Sequence, residues 1–327
     1  MSMYKIVITD YYYANQDQEN AVYARLGDDV EIVDLTKVAP GGLFKPEDII
    51  PYVADCDALV VQFSKIDASV INAMNNCKVI ARYAIGFDNI DIDAATSKGI
   101  WVANVPDYCI DEVANTAAAH LLNAMRQVTV ARDRLLAGSF NMNTLPPSKR
   151  LKDATLCLLG FGNISRNLGH KMEAFFKTIV VYDPYFTARD AYPNYIFVDD
   201  PNEAVKDADA ISIHVPENAA TRGMVGRELL SHCKDGIVVV NTARGGLIDD
   251  AAMMEALNSG KVGHAGLDVI VGENFGASDY LRHPNVTLTP HFAWRSVEAG
   301  LELQRKVAEN VVAALTTGKP VYPVNRL

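Results

Sequence analysis

Short apolar segments of four to six residues recur along this chain, and helical or polar stretches separate them. A strand followed by a helix, repeated many times, closes only as a parallel sheet with helices packed on its faces. The first set of candidate strands is Tyr4–Thr9, Val30–Leu35, Ala58–Phe63, Val79–Tyr83 and Ile100–Asn104. The second set is Thr155–Leu159, Thr178–Tyr182, Ala210–His214, Gly236–Asn241, Gly263–Asp268 and Val286–Thr289, with helical patterns such as Ala251–Ser259 between most of them. Two rounds of this alternation predict an α/β protein of two domains, each a doubly wound parallel sheet. A length of 327 residues agrees with two domains.

Between the two rounds lies a helical pattern from Asp111 to about Ala137, with Val113, Ala117, Leu121, Met125, Val128 and Leu135 on one face. Asp111 is the expected N-cap and Gly138 the expected stop. Unbroken, this helix would span about 40 Å and reach beyond one domain. The stretch 141–150, with Pro146 and Pro147, reads as a loop. A final helix, Val297–Thr317, has no strand to serve in the second round and is expected to return to the first domain. The domain boundaries expected are therefore 1–104 with 296–327, and 105–295.

The net charge of -10 and the pI near 5.2, without a Lys/Arg run, speak against nucleic-acid binding. An anionic small molecule is still compatible, because a site can be locally basic. Cys56, Cys77, Cys109, Cys157 and Cys233 form no Cys-x-x-Cys pair and no metal-ligand spacing. Free thiols in a reducing cytoplasm, and no metal, are expected. The opening MSMYKIVITD meets a polar residue too soon for a secretion signal, and no apolar run approaches the ~18 residues of a membrane helix.

The string LCLLGFGNISRNLGHKMEAF places a strand directly before Gly160-Phe161-Gly162 and a helix after it. Gly160 permits the tight turn. Gly162 lets backbone approach a pyrophosphate at the helix N-terminus, where Asn163 and Ile164 open the helix. Ser165 stands where a third glycine is usual, and a small serine can nearly fill that packing role. A structural turn is the plain alternative. Asp183, 23 residues after Gly160 at the end of the next strand, favours the dinucleotide reading. A carboxylate there would bind ribose hydroxyls and repel a 2′-phosphate, so the cofactor expected is NAD.

Three later segments end strands with polar side chains: Arg244 in NTARGGLID, Glu273 in AGLDVIVGE and His291 in TPHFAW. Ligands of open parallel sheets bind at the carboxyl ends of strands. Arginine suits a carboxylate, and histidine suits proton transfer near neutrality. A carboxylate beside the imidazole can orient the ring. Singly, each has a plain alternative: a surface ion pair, a loop hydrogen bond, a solvated turn.

Taken in order, RYAIGFDNIDIDAA, NVPDYCIDEVANTA, LLGFGNIS, VVYDP, HVPENAAT, NTARGGLIDD, AGLDV and TPHFAW resemble the D-isomer-specific 2-hydroxyacid dehydrogenase family over essentially the whole chain. NVPDYCIDEVA and FDNID are most similar to the branch with the C-terminal-binding-protein corepressors and phosphoglycerate-dehydrogenase-like enzymes. The resemblance implies an NAD-dependent oxidoreductase that interconverts a small 2-oxo acid and its D-2-hydroxy acid. It implies a homodimer, with a substrate domain made of the N-terminal part plus the last helix and an active-site cleft between the domains. Arg244 would hold the substrate carboxylate and carbonyl, and His291 paired with Glu273 would be the acid/base. Asp268 would lie near the nicotinamide. His214, Val215, Pro216, Thr242 and Ala243 would line the dinucleotide, as would Thr116. Ala84, Ile85 and Gly86 would offer backbone N–H groups to the substrate carboxylate. An NAD(H)-sensing scaffold like the corepressors is the alternative function, since it shares the catalytic triplet. Glu273 separates the chain from formate-oxidising members, which pair their histidine with glutamine.

Departures from the family pattern are Ser165, Asn274 in place of a frequent proline, and Gln62-Phe63 where phosphoglycerate enzymes tend to carry arginine and serine. The last argues against a phosphorylated substrate. Tyr11, Tyr12 and Tyr13 follow the first strand and either pack or reach the cleft. Trp294 either walls the pocket or packs at a subunit interface.

Overall fold

The computed structural model describes residues 4–28, 30–141, 143, 145 and 147–327. Met1–Met3, which begin the segment read against a secretion signal, and Pro146 of the expected loop lie outside the described residues. The chain divides into two compact units: Met1–Tyr108 with Ser296–Leu327, and Cys109–Arg295.

In the first unit, β1 (Tyr4–Ile8), β2 (Val30–Asp34), β3 (Ala58–Val61), β4 (Val79–Arg82) and β5 (Trp101–Ala103) form a parallel sheet in the order β2-β1-β3-β4-β5. Every residue of β3 is buried, as expected of a central strand covered on both faces. Helices α1 (Asp17–Tyr23), α2 (Pro46–Val53), α3 (Ala68–Ala73) and α4 (Ile92–Ser97) connect the strands. Their starts are written locally: Pro46 is the first residue of α2, and the carboxylates of Asp67 and Asp91 accept from Ser69 N and Ala94 N. The last helix, Val297–Thr317, begins with the Ser296 hydroxyl accepting from Ala299 N and belongs to this unit. It is pinned to α1 by a buried polar knot. The Glu19 carboxylate, fully buried, accepts from Tyr83 OH at 2.8 Å and from Gln304 Nε2 at 3.0 Å. Burial pushes the Glu19 carboxyl above its usual range, and these donors partly offset that.

In the second unit, α5 (Ile110–Arg126) and α6 (Val128–Leu136) precede β6 (Thr155–Leu159), α7 (Asn163–Met172), β7 (Thr178–Tyr182), β8 (Tyr195–Val198), α8 (Pro201–Lys206), β9 (Ala210–Ile213), α9 (Arg227–His232), β10 (Ile237–Asn241), α10 (Asp250–Ser259), β11 (Val262–Leu267) and β12 (Val286–Leu288). The strands pair in parallel in the order β12-β11-β10-β9-β6-β7-β8. Alternate residues of β6 feed two cores: Leu156 and Leu158 pack with α5 and α7, and Cys157 and Leu159 pack with α8–α10.

Three expectations are corrected. The helix over 111–137 is two helices, broken at Gln127, whose φ of 55° is left-handed. The cause is Asn123: its Oδ1 accepts from Thr129 N at 2.9 Å and thereby caps the second helix, while its Nδ2 donates to Thr287 Oγ1. The N-cap of the first helix is Cys109, not Asp111. Asp111 lies in the first turn and pairs with Lys171 at 2.7 Å. The second sheet also has a seventh strand, β8, which the predicted set of six lacks. Tyr195 and Phe197 face inward against the Phe161 ring, whereas Ile196 is half exposed. Several other strands are one or two residues shorter than predicted, because residues such as Thr9, Phe63, Tyr83 and His214 leave the ladder to build loops at the carboxyl edge.

Candidate active site

The carboxyl edge of the second sheet carries almost every residue singled out above. The strand order reverses between β6 and β9, so a crevice opens there. Gly160 sits in it with φ of 92°, and a β-carbon at this position would lie 2.8 Å from the His214 carbonyl carbon and 2.9 Å from Val215 N. Glycine is therefore required twice over, by conformation and by contact. Gly162 is the N-cap of α7, and a β-carbon there would meet open space. No side chain caps α7 and no acid lies in its first turn, so its leading N–H groups and dipole face an open edge. Asn163 and Ile164 form that first turn. Ser165 is fully buried where the helix crosses the strand.

Asp183, half-buried, lies just past β7, where its Oδ2 accepts from Phe161 N at 2.8 Å and its Oδ1 from Tyr185 N at 2.9 Å. It thus ties its own strand end to the glycine turn. His214 follows β9. Its Nε2 shares a hydrogen bond of 2.8 Å with Ser212 Oγ, and burial pushes the imidazole down to about 4, so it is neutral near pH 7. Val215 is buried in the core beneath this loop and Pro216 is exposed.

At the end of β10, the wholly buried Asn241 acts as a clamp that sequence reading missed. Its Oδ1 accepts from Ala243 N at 3.0 Å and its Nδ2 donates to Arg244 O at 2.8 Å, so both ends of one amide shape the turn Thr242-Ala243-Arg244. Arg244 donates through Nη1 to Ala243 O. Gly245 then passes so close to the next loop that a β-carbon would collide with the Ile270 carbonyl carbon. The Arg244 and Glu273 loops are thereby stacked on each other. The Thr242 hydroxyl is buried with no hydrogen-bond partner.

His291 Nδ1 donates to Glu273 Oε1 at 2.5 Å. Both residues have left-handed backbones, with φ of 50° for His291 and 51° for Glu273. Such non-glycine conformations cost of order 1–3 kcal/mol each and persist only where surroundings impose them. For His291 the imposing group is Asp268, which is fully buried. Its main-chain oxygen accepts from His291 N at 2.8 Å, its Oδ1 from Phe292 N at 3.1 Å and its Oδ2 from Ala293 N at 2.9 Å. Its Oδ1 also accepts from Thr289 Oγ1 at 2.6 Å. Because that hydroxyl proton is committed to Asp268, the bond of 3.1 Å between Thr289 Oγ1 and His120 Nε2 must have the imidazole as donor. Burial holds His120 below its ordinary range, against the pull of the Asp268 charge. Asp268 thus holds the histidine loop, in addition to any cofactor contact. Thr116 Oγ1 reaches Ala293 O at 3.4 Å, and Trp294 Nε1 donates to His291 O at 3.1 Å, so both brace the same loop. His120 was absent from the sequence reading, and Thr289 entered it only as the end of a strand. The TPHFAW string contained Thr289, but nothing in the sequence ties it to a helix residue 169 positions away.

In the first unit, Ala84, Ile85 and Gly86 follow β4. Val105 N donates to Ala84 O at 3.0 Å and Asn104 Nδ2 to Ile85 O at 2.7 Å, which orients their peptide planes. Among the described residues no cluster of His, Cys, Asp and Glu could hold a metal, and no helix is long and apolar enough to cross a membrane.

Comparison with known proteins agrees with this geometry. Residues 118–293 match the family described as D-isomer specific 2-hydroxyacid dehydrogenase, NAD binding domain. The chain is 38% identical over 271 residues to a hydroxypyruvate reductase of Thermotoga maritima, covering 80% of this chain and 87% of the relative. It is 36% identical over 288 residues to a D-3-phosphoglycerate dehydrogenase of Methanocaldococcus jannaschii, covering 88% of this chain. The chain spans about half the length of that relative, 54%. A solved glyoxylate reductase from Paecilomyes thermophila superposes with a TM-score of 0.86 at 27% identity, over 99% of this chain and 98% of that one. The chain belongs to the D-isomer-specific 2-hydroxyacid dehydrogenase family, and as a member it is an NAD-dependent oxidoreductase.

Proposed function

We propose that this protein reduces a non-phosphorylated 2-oxo acid to its D-2-hydroxy acid, with NADH preferred over NADPH. The observation that carries the reading is the His291–Glu273 pair, with His291 held in a strained conformation by a buried carboxylate. With Nδ1 committed to Glu273, His291 has Nε2 as the nitrogen that protonates the carbonyl oxygen. Glu273 compensates the imidazolium charge before transfer. Arg244, on its clamped turn, would hold the substrate carboxylate and stabilise charge developing on oxygen. The backbone of Ala84–Gly86 would offer further donors to that carboxylate.

The residues present fit a dinucleotide. The uncapped start of α7, with Gly160, Gly162, Asn163 and Ile164, would receive the pyrophosphate, and Asp183 the ribose hydroxyls. His214–Pro216, Thr242, Ala243, Thr116 and Asp268 would line the rest, the orphaned Thr242 hydroxyl gaining a partner there. The bound nicotinamide would supply the hydride. The chain's own groups orient the acid, donate the proton and exclude water. In this reading, 1–104 with 296–327 is the substrate domain and 105–295 the dinucleotide domain.

A homodimer is part of the proposal. Val128, Leu135, Leu136 and Phe140, on α6 and just after it, are each more than half exposed, which is costly unless a second copy covers them. We also place the protein in the cytoplasm, because its five cysteines are buried and none forms a disulfide. The deciding experiment is NADH consumption against a panel of 2-oxo acids, with chiral analysis of the product and sedimentation of the native protein. An L product, or no turnover of any 2-oxo acid, would overturn the reading. Asp183→Ala should narrow the NADH over NADPH preference, and an unmutated protein that binds NADPH as well as NADH would refute the role given to Asp183.

A further inference from the structure

Two of the buried thiols, Cys56 and Cys77, take no part in the reaction proposed above, yet the register of the first sheet sets them side by side. β3 and β4 run in parallel, with Ala58 opposite Val79 and Leu59 opposite Ile80. The ladder continues one step before both strands, where Lys78 N donates to Asp57 O at 2.8 Å. One step further back stand Cys56 and Cys77, each two residues before the paired Ala58 and Val79. Neighbouring strands lie about 4.7–4.9 Å apart, and a disulfide spans Cα atoms about 4.4–6.8 Å apart. Cys157, in contrast, stands opposite Val180 on β7 and Ile211 on β9.

The side chains of the pair meet as well. Both lie in one core cluster, with Leu59 and Ile80. Cys77 Sγ donates to Val79 O at 3.3 Å, so in the hydrogen bond between the two thiols Cys56 is the donor. That bond, with burial, pushes the Cys56 thiol far above the ordinary thiol range. Cys77 is 6% exposed, between the exposed Asn76 and Lys78, and Cys56 is fully buried. Solvent therefore meets Cys77 first, with Cys56 waiting behind it.

We propose that Cys56 and Cys77 are a reversible disulfide site, closed by a peroxide and reopened by a thiol reductant, which staples the amino ends of β3 and β4. The Cys77 thiolate attacks a peroxide oxygen: an S–O bond forms, the O–O bond breaks, and the leaving hydroxide takes up the thiol proton as water. The Cys56 sulfur then attacks the Cys77 sulfur: the S–S bond forms, the S–O bond breaks, and the second oxygen leaves as water with the Cys56 proton. The two thiols lose two electrons in all, and hydrogen peroxide is reduced to two waters. A thiol held protonated in the core reacts slowly, so closure answers sustained exposure. The staple closes a loop of about 20 residues and restricts the unfolded chain, which makes the oxidised protein the more stable one.

The test exposes the full chain to excess hydrogen peroxide, blocks remaining thiols with N-ethylmaleimide in denaturant, and maps tryptic peptides by mass before and after dithiothreitol. Trypsin cuts after Lys65, between the two cysteines, so the disulfide joins two otherwise separate peptides. The expected result is loss of two of the five thiols, one joined peptide that dithiothreitol separates, and a thermal midpoint higher by roughly 5 °C or more. Under the same exposure Cys56→Ala should carry Cys77 as a sulfenic acid that dimedone traps, with no joined peptide and no rise in midpoint. The map of the unmutated protein decides the matter even where that variant fails to fold. Five intact thiols, a link between any other pair, or sulfinic acid at Cys77 in place of the link overturns the site. A joined peptide without a rise in midpoint overturns the staple.

Discussion

Replacing Asp268 by asparagine changes one oxygen to an NH2 group and keeps the shape. In either amide orientation the new donor faces an existing donor: Ala293 N–H on one side, Phe292 N–H and the Thr289 hydroxyl on the other. At least one charge-assisted hydrogen bond, worth about 1.5–3 kcal/mol, is lost, and a buried N–H is left unpaired at a further cost of about 1–3 kcal/mol. A total near 3 kcal/mol is about 6–12 °C in the melting temperature of a unit this size. Because the site is wholly buried, solvent cannot soften the loss. The same substitution releases the left-handed His291 backbone, and a displacement of about 1 Å at the proton donor can cost roughly a hundredfold in kcat. The assay pairs calorimetry of the cofactor-free protein with steady-state kinetics and an NADH titration. The expected result is a lower melting temperature without cofactor and a fall in kcat larger than any change in the KM for the 2-oxo acid. An unchanged melting temperature with weakened NADH binding alone would refute the loop-holding role and leave Asp268 a cofactor contact only.

Other perturbations follow from the same geometry. Gly160→Ala strains a φ of 92° and drives a methyl group to 2.8 Å from the His214 backbone, so NADH affinity should fall at least about tenfold; isothermal titration measures it. Asn241→Ala removes both bonds that shape the Arg244 turn and should lower kcat/KM for the 2-oxo acid by about tenfold or more; unchanged kinetics would show that Arg244 is positioned otherwise. Acid should destabilise the second unit through His214 and His264, which burial depresses to about 4 from an ordinary value of 6.5. With the folded value below the unfolded one, their stabilisation is complete above pH 6.5 and is lost as pH falls toward 4. At pH 5 the loss is about 2 kcal/mol for each. Urea midpoints at pH 7 and pH 5 test this, and His264→Asn should flatten the difference. Glu19 has the opposite sign: its raised carboxyl favours the folded state as pH falls, so the transition of the second unit is the one to follow.

The alternating architecture was legible in the sequence because apolar strands and helical periodicity are local. So were the glycine turn at Gly160, the acid at Asp183 and the order of the polar strand ends, since in a parallel sheet a residue's place at the carboxyl edge follows from its place in the chain. The family likeness drew on the same strings. The break at Gln127 was not legible: the 3.6-residue pattern runs through it, and what stops the helix is Asn123 reaching Thr287 and Thr129. Strand β8 was not picked out from the sequence, and in the fold it pairs with β7 alone. Asp268, Thr289 and His120 lie apart in sequence, and only packing brings their donors and acceptors within bonding distance. Sequence therefore determined which chemical groups stand at the ends of the strands. The buried hydrogen bonds of the tertiary structure decided the conformation in which His291 is held, because a strained backbone persists only where distant groups compensate its cost.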